Sequence, residues 1–145
     1  MELAMIAPAL LLILFAFLEL SWLLSDLFIL HAAARAAVRC AAVGAPTGEI
    51  LEKVFSVAQA LDRNALTVSL EYRTEAGEQG WGNWQPLGDT NEQSRIVNDA
   101  PAGAEIRVAL VYRHPILIPG LFSALGDPAD PSTRTLEVSA VMRRE

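Results

Sequence analysis

Side chains able to do acid–base, metal or nucleophilic chemistry are sparse in this chain: two histidines, His31 and His114, and one cysteine, Cys40. Neither histidine stands at a metal-ligand spacing from another ligand, and neither has a Ser, Cys or acid beside it in a nucleophile signature. His31 lies in the alanine-rich "HAAARAAV" and reads as a helix position; His114, before Pro115, reads as the end of a strand. "GDPADPS" offers Asp127 and Asp130 but lacks the dense acid alternation and glycine of a calcium loop, so turn formation explains it better. No catalytic or metal-ligating residue is assigned, no cofactor is expected, and the chain reads as a non-enzyme. A single cysteine makes neither an internal disulfide nor a cysteine-rich zinc site. Cys40 is expected to be a small buried packing residue, with intermolecular pairing as the alternative.

Two other groupings offer recognition rather than catalysis. Trp81 and Trp84 in "GWGNW" sit among glycines, and exposed tryptophans stack on sugars or anchor protein contacts. The alternative is that one or both fold back over a sheet as core. The second grouping is the set of acids around an apolar run. "ELAMIAP" opens the chain, and from Leu3 to Leu18 there is no charged residue. At 1.5 Å per residue that run covers about 24 Å, slightly short of a hydrocarbon core of roughly 30 Å. The best register therefore sets Glu2 at one boundary and Glu19 at the other, with both side chains reaching water. A deeper register running on to Leu30 would bury Glu19, at about 3 kcal/mol for an ionised group near the bilayer centre. A cleavable secretory signal fits less well, because the run is long and no basic residues stand before it. Glu19 and Asp26, seven apart, share a helix face with Trp22, a polar stripe suited to pairing with another helix or to marking the membrane boundary. Pro8 removes the amide that would bond the Ala4 carbonyl. It either loosens a turn inside the helix or sits in the first turn of a helix that begins later.

The elements that must carry these residues follow from periodicity. "SWLLSDLFILHAAARAAVRCAAVG" contains no proline and stops at Gly44 with Pro46 behind it, so one helix extends over about 40 residues. Leu23, Leu27, Leu30, Ala34, Val38 and Ala41 follow three- and four-residue steps, and the alanines permit close approach of another element. Arg35 and Arg39 pair at i, i+4 elsewhere on its surface. "EILEKVFSVAQALDRN" places Ile50, Val54, Val57 and Leu61 on one face of a short helix, with Thr47 or Gly48 capping its start. "LTVSLEYR", "EIRVALVYR" and "RTLEVSAVMRR" alternate as half-buried strands. They are expected to form an antiparallel meander whose apolar face the Glu49 to Leu61 helix covers, with "SRIVND" adding a short fourth strand. The fold class is α+β: residues 1–43 form a long helix spanning a membrane over about 3–20, and residues 44–145 form a small antiparallel sheet domain with one packed helix.

Composition bounds the partners. Apolar residues make up 52% of 145 and charged residues 19%, with the apolar excess concentrated in the first 43 positions. The net charge is -6 and Lys53 is the only lysine, so a run of phosphates finds no basic cluster and nucleic acid is not an expected partner.

The opening "ELAMIAPALLLILFAFLEL", the "HAAARAAVRCAAVG" segment and the closing "TRTLEVSAVMRRE" together resemble the TadE-like minor pilins (pseudopilins) of the tight-adherence, or Tad, type IV pilus system. The central insert with Trp81 and Trp84 carries no signature of that family. The resemblance implies a bacterial inner-membrane protein with a single span and its C-terminal domain outside the cytoplasm. It implies partners among other pilins and the pilus assembly machinery. Subunit assembly would involve Glu2, Pro8 and Glu19, with Glu2 meeting the N-terminal amine of an adjacent subunit. In the pilin pattern the acid is usually fifth in the mature chain, behind a basic leader; here it is second, so prepilin peptidase is an implied partner only of a form that carries a leader. Arg35 and Arg39 lie C-terminal to the span, and by the positive-inside rule alone that side would face the cytoplasm. The alternative from another class is a membrane-tethered module that binds glycan or protein through Trp81 and Trp84, with no pilus involved.

Overall fold

The computed structural model describes residues 2–77, 80–88 and 97–145, and side chains from residue 6 onward within them. α1 runs unbroken from Glu2–Ala42 with Pro8 inside it, so the reading in which the helix begins beyond the proline does not hold. Its end is a Schellman turn: Gly44, at φ +88°, donates its amide to the Ala41 carbonyl, and Ala45 donates to Cys40. The remaining carbonyls of the last turn are also claimed. Asn98 Nδ2 donates to Ala41 and Ala45, and the Glu145 amide donates to Ala42. The Arg144 guanidinium in turn holds Asn98 and the Ala100 carbonyl. The helix stops where glycine permits a left-handed residue, and the chain's last residues seal the stop.

α2 (Thr47–Val57) starts behind Pro46, not behind a Thr47 or Gly48 cap, and buries Thr47, Ile50 and Val54. Four strands follow: β1 (Leu66–Arg73), β2 (Gln85–Pro86), β3 (Glu105–Pro115) and β4 (Thr133–Arg143). They form one antiparallel sheet in the order β2-β1-β3-β4. The expected meander is present, but the fourth strand is β2 from the tryptophan-bearing insert. Of "SRIVND", Val97–Asp99 have no regular structure and residues 94–96 lie outside the described residues.

Ile106, Val108, Leu110 and Tyr112 of β3 face the core, with Leu136 and Val138 beside them on β4 and Leu66 on β1. The element lying on β3 and β4 is α1, while α2 flanks α1. The expectation that the Glu49 to Leu61 helix covers the sheet is therefore corrected: the outer half of the long helix does that work. Ala33, Ala34, Ala37 and Ala41 are all fully buried, and so small a stripe lets the helix backbone approach the sheet closely. With Leu30 and Val38 it forms one cluster with Ile50, Val54 and the sheet residues. β3 runs antiparallel to α1: its first residues lie near Ala42, and His114, next to its last, reaches Asp26. The connection from β3 to β4 thus hangs at the end of the sheet nearest the apolar N-terminal half of α1.

Candidate functional site

Residues Ile6 to Leu18 project beyond the sheet. Nearly every large apolar side chain there is exposed, from Ile6 and Leu10 through Phe17 and Leu18. Among the described residues one helix is long and apolar enough to cross a membrane, with mean hydropathy 2.2 in its best window. Glu2 opens this rod, and its side chain lies outside the described residues.

Where the rod meets the sheet, three ionisable side chains converge. Asp26 and Glu19 lie two turns apart on one α1 face, and His114 comes from the end of β3. His114 has no solvent exposure, Glu19 has 1% and Asp26 5%, which removes all three from bulk water. His114 Nδ1 lies 2.7 Å from Asp26 Oδ2, a short charge-assisted geometry. His114 Nε2 lies 3.7 Å from Glu19 Oε1, beyond hydrogen-bonding reach, and has no other partner among the described residues. The Glu19 carboxylate accepts instead from the Leu117 amide, at 3.2 and 3.4 Å from its two oxygens. Trp22 closes the cluster edge-on, its ring centroid 5.6 Å from the imidazole at 86°. Tyr112, two residues before His114 on the same strand face, has its phenol pKa pushed up by burial and, secondarily, by the nearby Asp26 charge.

Glu19 therefore does not reach water as the shallow register requires. The strand end brings a donor amide to its carboxylate and sets an imidazole 3.7 Å away, so the group is held within the chain instead of in water. The polar stripe of Glu19 and Asp26 does pair, but with a strand and not with another helix. Sequence reasoning missed His114 because its partner Asp26 lies 88 positions away and no local spacing links them. A signal existed. Glu19 and Asp26 extend the same buried face as Leu30, Ala37 and Ala41, and acids on a face that goes into a core need a buried partner.

An aspartate on Nδ1 of a histidine is the arrangement that orients a general base. Here Nε2 faces a carboxylate instead of a hydroxyl or thiol, and a fully enclosed imidazole meets no substrate atom. The arrangement works as a clasp between rod and sheet. His31 is exposed and remote from it, its carbonyl accepting from Arg35 Nε. Asp127 and Asp130 shape the β3–β4 connection: Asp127 Oδ2 accepts from the Thr135 amide at 2.9 Å, and Asp130 Oδ1 from the Ser132 amide at 3.1 Å. The Ser132 and Thr133 hydrogen bonds hold the Asp130 carboxyl below the usual range. Among the described residues no group of three or more His, Cys, Asp or Glu side chains is placed to hold a metal ion.

Trp81 and Trp84 lie over the sheet's other face, away from α1. Cross-strand pairs Glu71–Arg107 and Arg73–Glu105 line that face. The Arg73 guanidinium lies 4.5 Å from the Trp84 ring centre and 5.2 Å from that of Trp81, and Arg107 lies 4.3 Å from Trp84. Each such cation–π contact contributes about 0.5–1 kcal/mol at an exposed site. Both tryptophans are half-buried. They fold back over the sheet as one reading anticipated, but onto charged side chains and not into the apolar core. Cys40 is also half-buried, packed against the core cluster from α1.

Residues 1–39 match the family model described as TadE-like protein, which bears out the resemblance read in the sequence and supports a Tad pilus-associated protein. The matched segment is the rod together with most of its packed outer half. No curated protein and no solved structure matches the chain.

Proposed function

Proceeding from a TadE-like N-terminal helix, we propose that this chain is a non-enzymatic minor pilin, held in the bacterial inner membrane by residues of about 3–20 and joining or priming a Tad pilus through that helix. The observation that carries the reading is the bare apolar rod, which coincides with the family match. From Ile6 to Leu18 it projects about 20 Å. A surface that apolar in a soluble monomer would be an aggregation hazard, whereas lipid or a bundle of like helices covers it.

Glu2 lies at the tip of that rod. In a bundle of low dielectric a carboxylate is tolerable only when matched, and the positive N-terminus of a neighbouring subunit is the matching group. Removing one partner of a buried pair costs about 3–5 kcal/mol, enough to set the register of assembly. Pro8, within the same stretch, leaves the Ala4 carbonyl for a neighbour or water to satisfy. Glu19, compensated by Leu117 and facing His114, would act in assembly by fixing where the head sits on the rod, and not by contacting a neighbour directly.

The proposed orientation places residues 44–145 in the periplasm or beyond. Arg35 and Arg39 do not oppose it: both lie on a helix packed into a folded domain, and domains are translocated largely regardless of charge. The partners would be other pilins and the assembly machinery, with prepilin peptidase acting on any form that carries a leader.

The test is Glu2→Gln. Membrane association should persist while co-purification with Tad pilus components is lost; undiminished co-purification would overturn the registering role. Trp81→Ala with Trp84→Ala separates the tethered-module alternative, in which surface attachment fails while assembly proceeds without this chain.

A further inference from the structure

Between Pro115 and Gly126 the chain carries no charged residue: "PILIPGLFSALG". The segment includes the end of β3, the short helix α3 (Pro119–Phe122) and a 3-10 turn at Ser123–Leu125. Ile116 and Phe122 are buried and fix it to the domain, while Leu117, Ile118, Leu121 and Leu125 are 56%, 36%, 47% and 42% exposed. Four large apolar side chains are thus turned outward within a dozen uncharged residues.

Position says what covers them. His114 lies against Asp26, and three residues later the Leu117 amide lies against Glu19. The chain is therefore moving toward the N-terminal end of α1 as it enters the connection, and arrives at the level where the uncharged run of the rod ends. Phe17, Leu18 and Leu20 are exposed at that same level. The outward apolar side chains of the connection thus begin at the level where the exposed apolar surface of the rod begins. From this geometry we propose that the β3–β4 connection is a second membrane contact: Leu117, Ile118, Leu121 and Leu125 dip into the leaflet around the helix exit, with the lipid bilayer as their occupant.

The physics is that of an interfacial anchor. Apolar side chains immersed roughly 5–10 Å into the boundary between headgroups and acyl chains gain transfer free energy, and backbone polarity is tolerated at that depth. Pro119 opens α3 without an amide to satisfy, and the Leu121 and Phe122 amides bond the Ile118 carbonyl, so little backbone polarity is carried inward. Glu19, at the same level, is shielded by this connection on the protein side. A single span with one contact leaves rod and head free to tilt together. A second contact sets that tilt.

The inference rests on the membrane-span reading, and the experiment separates the two. Full-length protein carrying Cys40→Ser is reconstituted in phosphatidylcholine–phosphatidylglycerol vesicles, with one environment-sensitive label at Leu121→Cys, Phe17→Cys or Ser69→Cys. Nitroxide lipids at shallow and deep positions, and aqueous iodide, serve as quenchers. The expected result is strong shallow-lipid quenching and a several-fold loss of iodide quenching at both 121 and 17, which share a level, and iodide quenching alone at 69. Lipid quenching at 17 with iodide quenching at 121 overturns the loop contact and leaves the span standing. A label at 121 shielded from both quenchers means a protein surface covers it, a second copy included, and also overturns the proposal. Absence of lipid quenching at 17 overturns the span and this inference with it. If the label at 121 perturbs the fold, Leu125→Cys gives an independent reading of the same contact.

Discussion

Replacing His114 with leucine probes the clasp where it is most vulnerable. Leucine is close to histidine in volume, so little cavity forms, and the change isolates the electrostatic part. It leaves the Asp26 carboxylate 5% exposed and without the imidazole that stood at 2.7 Å, and it leaves Glu19 with the Leu117 amide alone. Removing the hydrogen-bond partner of a buried carboxylate typically costs about 3–5 kcal/mol, since the group left behind is neither hydrated nor paired. Small domains hold only about 5–15 kcal/mol in total. For a domain of this size 1 kcal/mol shifts the midpoint by about 3–6 °C, so a loss on the order of 10–30 °C is expected. The assay is thermal unfolding in detergent micelles by near-ultraviolet circular dichroism, with Trp22 fluorescence as a local reporter because its ring packs perpendicular to the imidazole. Asp26→Leu together with His114→Leu removes both polar groups and should recover most of the loss, a coupling of the sign and size expected for contacting residues. A midpoint within about 2 °C of the parent for His114→Leu alone, or a double variant as unstable as the sum of the singles, would refute the clasp.

Two further outcomes follow from the same structure. Burial pushes the Cys40 thiol pKa above its ordinary value; the Glu49 charge adds to the shift and Lys53 partly offsets it. Less thiolate is then present at pH 8 than for a free cysteine, so alkylation by iodoacetamide should be slower, should accelerate as pH rises past 9, and should gain from Glu49→Gln; a rate equal to that of a free thiol at pH 8 rules this out. Gly44→Ala forces a side chain into a left-handed position at φ +88°, at about 1–2 kcal/mol, and a fall of several degrees in the unfolding midpoint is expected, smaller for Gly44→Asn; no change refutes the capping role.

What could be read from the chain alone was whatever is local. The long helix, its stop at Gly44, the buried alanine stripe and the three alternating strands all follow from neighbours within one or two turns or strand steps. Two kinds of feature escaped. Layer assignment did, because periodicity says that a face is buried but not against what; Ile50 and Val54 look equally suited to a sheet and to another helix, and only the closeness permitted by Ala33, Ala34, Ala37 and Ala41 decides that α1 takes the sheet. Long-range polar pairing also escaped. Asp26 and His114 become neighbours only because β3 runs antiparallel to α1 along its whole length, a consequence of strand order invisible to any window of sequence. β2 was missed for a related reason: two residues, Gln85 and Pro86, have no alternation to detect, and they pair with β1 because the Trp–Arg stacking holds the insert over the sheet.

One helix is both the tether and a stave of the head, and this limits how the head can ever be shed. A protease cutting anywhere from Leu23 to Ala42 would split the packed stripe and release a fragment without its core; a cut on the lipid side of Glu19 alone would free a head that keeps its shape. A protease that clips exposed linkers finds none between the apolar rod and the head.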